Sequence, residues 1–447
     1  MGNSKSNRGL SPSPKFTVEA QYRSAIGVDV HRDLLVCCYQ EHNPEKNEML
    51  TEMANFGTKC SQLMEFAQWC ANLSPDVIIM ESTGVLWRSP YEALESVGFT
   101  NKQLALVNAR DVKAAVGRKT DAEDAKRLAT FARLGTIKRS FVPGKLFRDM
   151  RLLARLYKKT VDNFARTKNR YNKILNSAGF RASSVFSDTN GKAAKILLDA
   201  FVFGSKEDQA VALNCRAVKR LKASPEEIQD ALNATCNPVI LELLRKVKAD
   251  IDSQRKLADE YMSMLRQAQA PYEHCIELLV RIPGIKEISA RLIFAELCDN
   301  IGEYFPDAEH FASWMGICPG NNVSANKSYS GKSAKGNKWI RAALTECANG
   351  IALSRRGPLY KRFLGYKARR GHKRSIVALA HKLARIIYCC LKYGILYQEE
   401  DTFDLRACLS RHVVKIQLNV ESAIRLAECS TIDRPITGLR RSVAMNS

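Results

Sequence analysis

Apolar residues follow two kinds of pattern along this chain. Up to about residue 140 they cluster in short runs rich in strand formers; beyond it they recur at helical spacing. Ser24 to Tyr39 (SAIGVDVHRDLLVCCY) predicts two strands joined by a turn at His31-Arg32-Asp33. Asp76 to Met80 (DVIIM) predicts a short buried strand ending at Glu81, and Leu104 to Asn108 (LALVN) predicts another. A helix is expected from Thr120-Asp121 to about Leu134. Thr120 can cap its free N–H groups, acids occupy the first turn where the helix dipole favours them, and Gly135 ends it.

The second pattern begins near residue 147. Phe147 to Ser177 reads as one long basic helix with Met150, Leu153, Leu156, Val161 and Phe164 as its apolar positions, and Val239 to Ala268 reads as another. The two are expected to pair as an antiparallel coiled coil, with mixed helix and loop over 178–238 between them. Residues 276–297 (IELLVRIPGIKEISARLIFAEL) predict a helix, a tight turn at Pro283-Gly284-Ile285 and a second helix. Such a helix-hairpin-helix can aim backbone N–H groups at a phosphate, which makes Gly284 a candidate contact; an ordinary αα-hairpin is the alternative. A loop rich in Gly, Asn, Ser and Lys follows (316–336), then helices from about Asn337 to Leu353 and Arg374 to Tyr393. The division expected is a flexible leader (1–20), an α/β domain (21–145), a helical region (146–270), a mainly helical C-terminal domain (271–400) and a tail (401–447) without a usable motif.

Charge changes this picture most. The 447 residues carry 69 Lys and Arg against 46 Asp and Glu, a formal charge of +23. Residues 138–178 hold a net +10 and residues 327–385 a net +15, so the rest of the chain is close to neutral. A solvated surface does not segregate charge this way, and nucleic-acid backbone is the expected partner. No apolar run reaches the ~20 residues that span a bilayer, and the polar start lacks a signal-peptide core. The expected location is therefore the cytoplasm, with no membrane partner. The 14 cysteines are scattered without a CxxC pair, which suits reduced, buried side chains better than disulfides or zinc.

Four acids stand at suggestive places. Asp29 lies in the first strand, Glu81 directly after a buried one, and Asp121 and Asp124 share a helix face. If the fold brings them together, their repulsion calls for a cation; hard oxygen ligands suit Mg²⁺, and two ions ~3.5–4 Å apart serve phosphodiester chemistry. Each acid also has a plainer reading. Asp29 could be a turn residue with Asp33 as the strand acid, Glu81 a cap, Asp121 a first-turn acid, and Asp124 an ion-pair partner of Arg127 or Lys126. His31 and His381 read as structural.

Five motifs occur in order: IGVDVHRD, MESTGVLWRSPYEAL, VNARDVKAAVGRKTDAEDAKRLA, IPGIKEISARLIFAEL and GICPGNNVSANKSYSGKSAKGNKWIRAAL. Over about residues 22–400 the chain resembles bacterial insertion-sequence transposases that join an N-terminal DEDD, RuvC-like domain to a C-terminal serine-containing domain. This is the bridge-RNA-guided recombinase family, which includes site-specific DNA invertases. The resemblance implies an RNase H-like (RuvC-like) N-terminal domain and a DEDD site at Asp29, Glu81, Asp121 and Asp124 holding Mg²⁺. It also implies a serine nucleophile at Ser324, within Pro319-Gly320-Asn321-Asn322-Val323-Ser324-Ala325. Members often have Glu before this serine and Gly-Lys after the alanine; here Val323 and Asn326-Lys327 stand there.

The implied reaction is strand cleavage through a phosphoserine link, exchange and religation. It conserves bond energy, and no GxxxxGK[ST] loop for ATP is present. The implied partners are donor and target DNA, a structured non-coding RNA that pairs with both, and further copies of the chain, a homodimer assembling to a homotetramer. Lys327, Lys332, Lys335, Lys338 and Arg341 near the serine, with Arg151, Arg155, Lys158 and Lys159 on the long helix, are the candidate phosphate contacts. Two rivals remain: a metal-dependent junction nuclease that ignores Ser324, and a nucleic-acid-binding protein without catalysis.

Overall fold

A computed structural model describes residues 20–398 except 82–83, 109–119, 188, 190, 235, 319–321, 325–326, 331–332 and 334. The tail at 401–447 and most of the leader therefore lie outside the described residues. Two compact units divide at Lys145 and Leu146.

The first unit is built on a five-stranded mixed sheet. Its strands are β1 (Ser24–Val30), β2 (Leu34–Asn43), β3 (Glu48–Gly57), β4 (Val77–Glu81) and β5 (Leu104–Val107), in the order β3-β2-β1-β4-β5. β1, β2 and β3 form an antiparallel meander, while β4 and β5 run parallel to β1. The run IGVDV is central and buried along its whole length, as a continuous apolar run suggests. The edge strand β3 and the helices α1 (Cys60–Leu73) and α2 (Arg88–Ser96) are additions to the elements expected from the sequence. β3 is mostly solvent-exposed, so it shows little apolar alternation.

Strand alternation gives the sheet two working faces. Ile26, Val28 and Val30 join Leu35, Cys37, Ile78 and Met80 in one core, with Phe66, Cys70, Tyr91 and Leu94 from α1 and α2. The opposite face presents Ala25, Val77, Ile79, Ala105 and Val107 to Leu128 and Ala132 of α3 (Asp121–Leu134). Asp29 and Glu81 share the parity of this second face.

Gly27 sets how closely α3 approaches. A Cβ there would stand 2.2 Å from the Ala125 carbonyl oxygen and 2.3 Å from the Ala129 nitrogen, and neither backbone atom can yield cheaply. The expected ends of α3 are present: Thr120 Oγ1 accepts from the Glu123 N–H at 3.3 Å, and Gly135 is left-handed at φ 66°.

The second unit is helical apart from one small hairpin. Helix α4 (Lys145–Ser177) and helix α9 (Pro238–Gln269) lie side by side and antiparallel: Gln254 donates to Thr167, and Tyr157 lies within electrostatic reach of Asp259 and Arg266. Between them α5 (Ala182–Val185), α6 (Lys192–Phe203), α7 (Lys206–Leu213) and α8 (Pro225–Leu232) gather Leu197, Leu198, Ile228 and Leu232 with Tyr171, Leu175, Leu244 and Val247 into a separate core.

Next come α10 (Glu273–Val280) and α11 (Glu287–Ala295), then α12 (Ile301–Tyr304), α13 (Ala308–Trp314), strands β6 (Asn322–Ser324) and β7 (Lys327–Ser330), and helices α14 (Lys338–Ser354), α15 (Pro358–Arg370) and α16 (His372–Tyr393). No helix among the described residues is long and apolar enough to cross a membrane.

Candidate metal centre and basic groove

The acids of the first unit are placed by three elements. β1 carries Asp29, which is 8% exposed and pairs across β2 with Val36. In the parallel pair β1–β4 the register runs Gly27 with Ile79 and Val28 with Met80, so Glu81 ends β4 beside Asp29 on the same face. Helix α3 brings Asp121 and Asp124 in its first turn, and the close approach at Gly27 seats that turn over the strand end. Burial pushes the Asp29 carboxyl above its ordinary value; nearby His31 opposes this, and the charges of Glu81, Asp121 and Asp124 add to it. Asp29 thus feels the charge of the other three acids.

His31, expected to be structural, stands inside this cluster. Its Nε2 lies 3.2 Å from Asp29 Oδ2 and 3.5 Å from Asp121 Oδ2, and the three donor atoms fall within 4.8 Å of one another. The signal was present in VDVHRD, two positions after Asp29, but only the β1–β2 turn directs the ring back over the strand end. Asp33 is turned away, with its side chain 87% exposed. Asp124 also realises its plainer reading, an ion pair with Arg127 at 3.3 Å.

In the second unit the candidate phosphate cations part company. Arg155 forks onto Glu296, with Nε to Oε1 and Nη2 to Oε2 both at 2.8 Å. Arg151 donates twice to the Glu296 main-chain oxygen, and Asn337 Nδ2 reaches Oε2 at 2.7 Å. Glu296 is 2% exposed, so its carboxylate is buried and matched by opposite charge, with Arg155 at the edge of the network. Lys158 pairs with Glu346 at 2.9 Å. Lys159, Lys335 and Lys338 are exposed.

Gly284 is exposed in the α10–α11 turn at φ 86°, and a Cβ there would stand 2.5 Å from Ile351 Cγ1, so both conformation and packing require glycine. Arg291 clamps the same hairpin through Glu273 and Glu287.

The serine segment is anchored where it returns to helix. Asn337 N–H donates to the Trp314 carbonyl, and Gly336 lies so close to Gly316 that a Cβ would meet its nitrogen at 2.3 Å. Asn337 also caps α14 through the Trp339 N–H. β6 and β7 form an antiparallel hairpin in which Ser324 pairs with Lys327. Lys332 lies outside the described residues.

Beside this segment, Ile317 and Ser333 line a groove of about 680 Å³ whose other walls carry Arg341, Tyr366, Arg369, Arg370, Lys373, Arg374 and His381. No carboxylate is among its described lining residues. The sequence showed the charge of this stretch; the packing of α14, α15 and α16 puts part of it on one concave surface.

Comparison with known proteins places the chain. A DEDD transposase family of the IS110 type, described as a transposase, matches residues 26–180, and the transposase IS116/IS110/IS902 family matches residues 276–364. The first match contains all four acids and the second contains Ser324. The class that both matches indicate is that of insertion-sequence transposases, with one domain similar to the IS110 type and one to the IS116/IS110/IS902 type. The transposase for insertion sequence element IS1111A of Coxiella burnetii is 24% identical over 375 residues, 82% of this chain and 89% of that protein. The y4pF/y4sB transposase candidate of Sinorhizobium fredii is 27% identical over 157 residues, 34% of this chain and 39% of that protein.

Proposed function

We propose that this protein cuts and rejoins DNA strands through a phosphoserine intermediate at Ser324, using divalent metal, Mg²⁺ in two ions, at Asp29, Glu81, Asp121 and Asp124. The observation that carries this reading is the convergence of strand-end acids with His31 in a domain whose strand order, β3-β2-β1-β4-β5, suits an RNase H-like fold. The donor set fits a divalent cation, because burial and three neighbouring carboxylates disfavour the charge on Asp29 and the buried His31 Nε2 lacks a hydrogen-bond partner among the described residues. A bound ion would polarise the scissile phosphate and offset charge developing on its oxygens.

The chain's own residues supply the rest. The Ser324 oxygen replaces a sugar oxygen on phosphorus and is later displaced by the incoming strand, so one P–O bond forms for each that breaks. Arg341 and the groove cations hold strand phosphates beside the serine segment. Choice of donor and target sequence falls to a structured RNA that pairs with both, and a dimer assembling to a tetramer holds the strands together.

The test is denaturing electrophoresis after incubation with element-end DNA and copurified RNA. Wild type yields a covalent protein–DNA adduct, and Ser324→Ala yields none while still binding nucleic acid. Full recombination by Ser324→Ala would overturn the serine role. Free cut ends without an adduct would favour the junction nuclease.

A further inference from the structure

His31 stands among the acids, with Nε2 3.2 Å from Asp29 and 3.5 Å from Asp121. We propose that the His31 imidazole is itself a metal ligand, placed between Asp29 and Asp121, so that the centre binds Mn²⁺ more tightly than Mg²⁺. The inference rests on the metal reading of that site and adds to it a nitrogen donor and an order of ion preference.

Three observations carry it. The first is the state of Nε2: the atom is buried, and no group among the described residues meets it as a hydrogen-bond partner, although two carboxylate oxygens lie at 3.2 and 3.5 Å. Those oxygens are near but out of line with it, as expected for donor atoms that face a common point rather than one another. The second is spacing. Adjacent ligands of an octahedral ion with ~2.1 Å bonds lie about 3 Å apart and opposite ones about 4.2 Å. The Asp29, His31 and Asp121 donor atoms, all within 4.8 Å of one another, match one shell after small adjustments of Asp121, whose side chain is 60% exposed and able to move.

The third is that the backbone beneath the ring is held. The His31 N–H donates to the Leu34 carbonyl at 2.9 Å, and Thr58 Oγ1 donates to the Arg32 carbonyl at 2.9 Å, which ties the turn to the end of β3. The Asp121 side chain is 60% exposed, so the centre has an open side for water or a phosphate oxygen.

The preference follows from ligand chemistry. Mg²⁺ favours an all-oxygen shell rich in water, whereas imidazole is a good ligand for first-row transition ions. A mixed set of two carboxylates and one imidazole therefore favours Mn²⁺ over Mg²⁺.

The experiment uses the full chain without nucleic acid. Mn²⁺ is titrated by electron paramagnetic resonance, Mg²⁺ is measured by competition, and spin-echo modulation reports whether nitrogen is bound to the Mn²⁺. Wild type is expected to show the modulation of one directly bound imidazole nitrogen. His31→Asn is expected to lose it and to bind Mn²⁺ ~10–100-fold more weakly, with Mg²⁺ affinity unchanged. The wild-type spectrum needs no variant, so misfolding of His31→Asn cannot hide the answer. Absence of nitrogen modulation, with Mn²⁺ binding still lost in Asp121→Asn, overturns the role of His31 and leaves the metal reading standing. No Mn²⁺ binding by wild type, or binding indifferent to Asp121→Asn, overturns the metal reading as well.

Discussion

Around Asp29, four carboxylates gather at the end of two parallel strands, with His31 and the Arg127 guanidinium as their cationic or polar company. Around Glu296, two arginines and an asparagine close on one buried carboxylate and engage its side-chain oxygens and its carbonyl. The first cluster keeps like charges together; the second joins opposite ones. Mutual repulsion is costly for a folded chain, so an open cluster of one sign points to a ligand of the other sign. A closed network has no such need and holds the fold. The groove beside the serine segment repeats the first pattern with the sign reversed.

The comparison can be broken at several points, in descending order of effect. Glu296→Ala would leave Arg155 and Asn337 without their acceptor and Arg151 without its counter-charge, and a loss of about 3–5 kcal/mol in urea unfolding is expected. A loss below about 1 kcal/mol, the scale of an exposed ion pair, would mean that the network is not structural. Asp121→Asn acts oppositely: stability should hold, while metal-dependent strand cleavage falls ~10–100-fold, the scale on which metal sites respond to a lost partner. Gly27→Ala separates packing from charge. It should cost about 1–3 kcal/mol by overpacking, and it should also weaken metal binding by lifting α3 off the strand. Unchanged metal binding would show that α3 is not what places Asp121.

The groove is tested by salt. Replacing Arg370 or Lys373 by Ala should lower the slope of log affinity against log salt by about 1 for each phosphate no longer neutralised, with little change in sequence preference. An unchanged slope would remove that cation from the nucleic-acid path.

The smallest effect lies at the hairpin. Hydrogen bonds from Arg291 and Arg266 hold the Glu287 carboxyl below its ordinary value of 4.5. Its contribution is therefore complete above that value and is lost as pH falls through the lower, folded-state value. Thermal unfolding of Glu287→Gln should show a flatter acid limb than wild type and the same slope near neutrality.

Much of the fold was legible because it is local. The β1–β2 turn, the strand ending at Glu81 and the Thr120 and Gly135 caps follow from short patterns whose partners lie within a few residues. The two long helices were equally plain. β3 was not, because an exposed edge strand has little apolar alternation to display. The candidate acids were also legible, as strand-end and first-turn residues of the right type. The roles of the cations were not. Net charge counted Arg151 and Arg155 with Arg370 and Arg374, yet the first two face Glu296 from within the same unit, and the latter two line the groove.

By itself, then, the sequence determined the elements, their caps, the acids and the segregation of charge, since propensity, periodicity and composition act over neighbouring residues. Tertiary structure alone decided which of those residues meet. Pairing β4 beside β1 brings Glu81 to Asp29 across 52 residues of chain, and the bare backbone at Gly27 lets α3 deliver Asp121 to the same point. His31 became part of the centre, and Arg155 part of the scaffold, for the same reason: a side chain's chemistry is set by what packs against it, and those neighbours come from elsewhere in the chain.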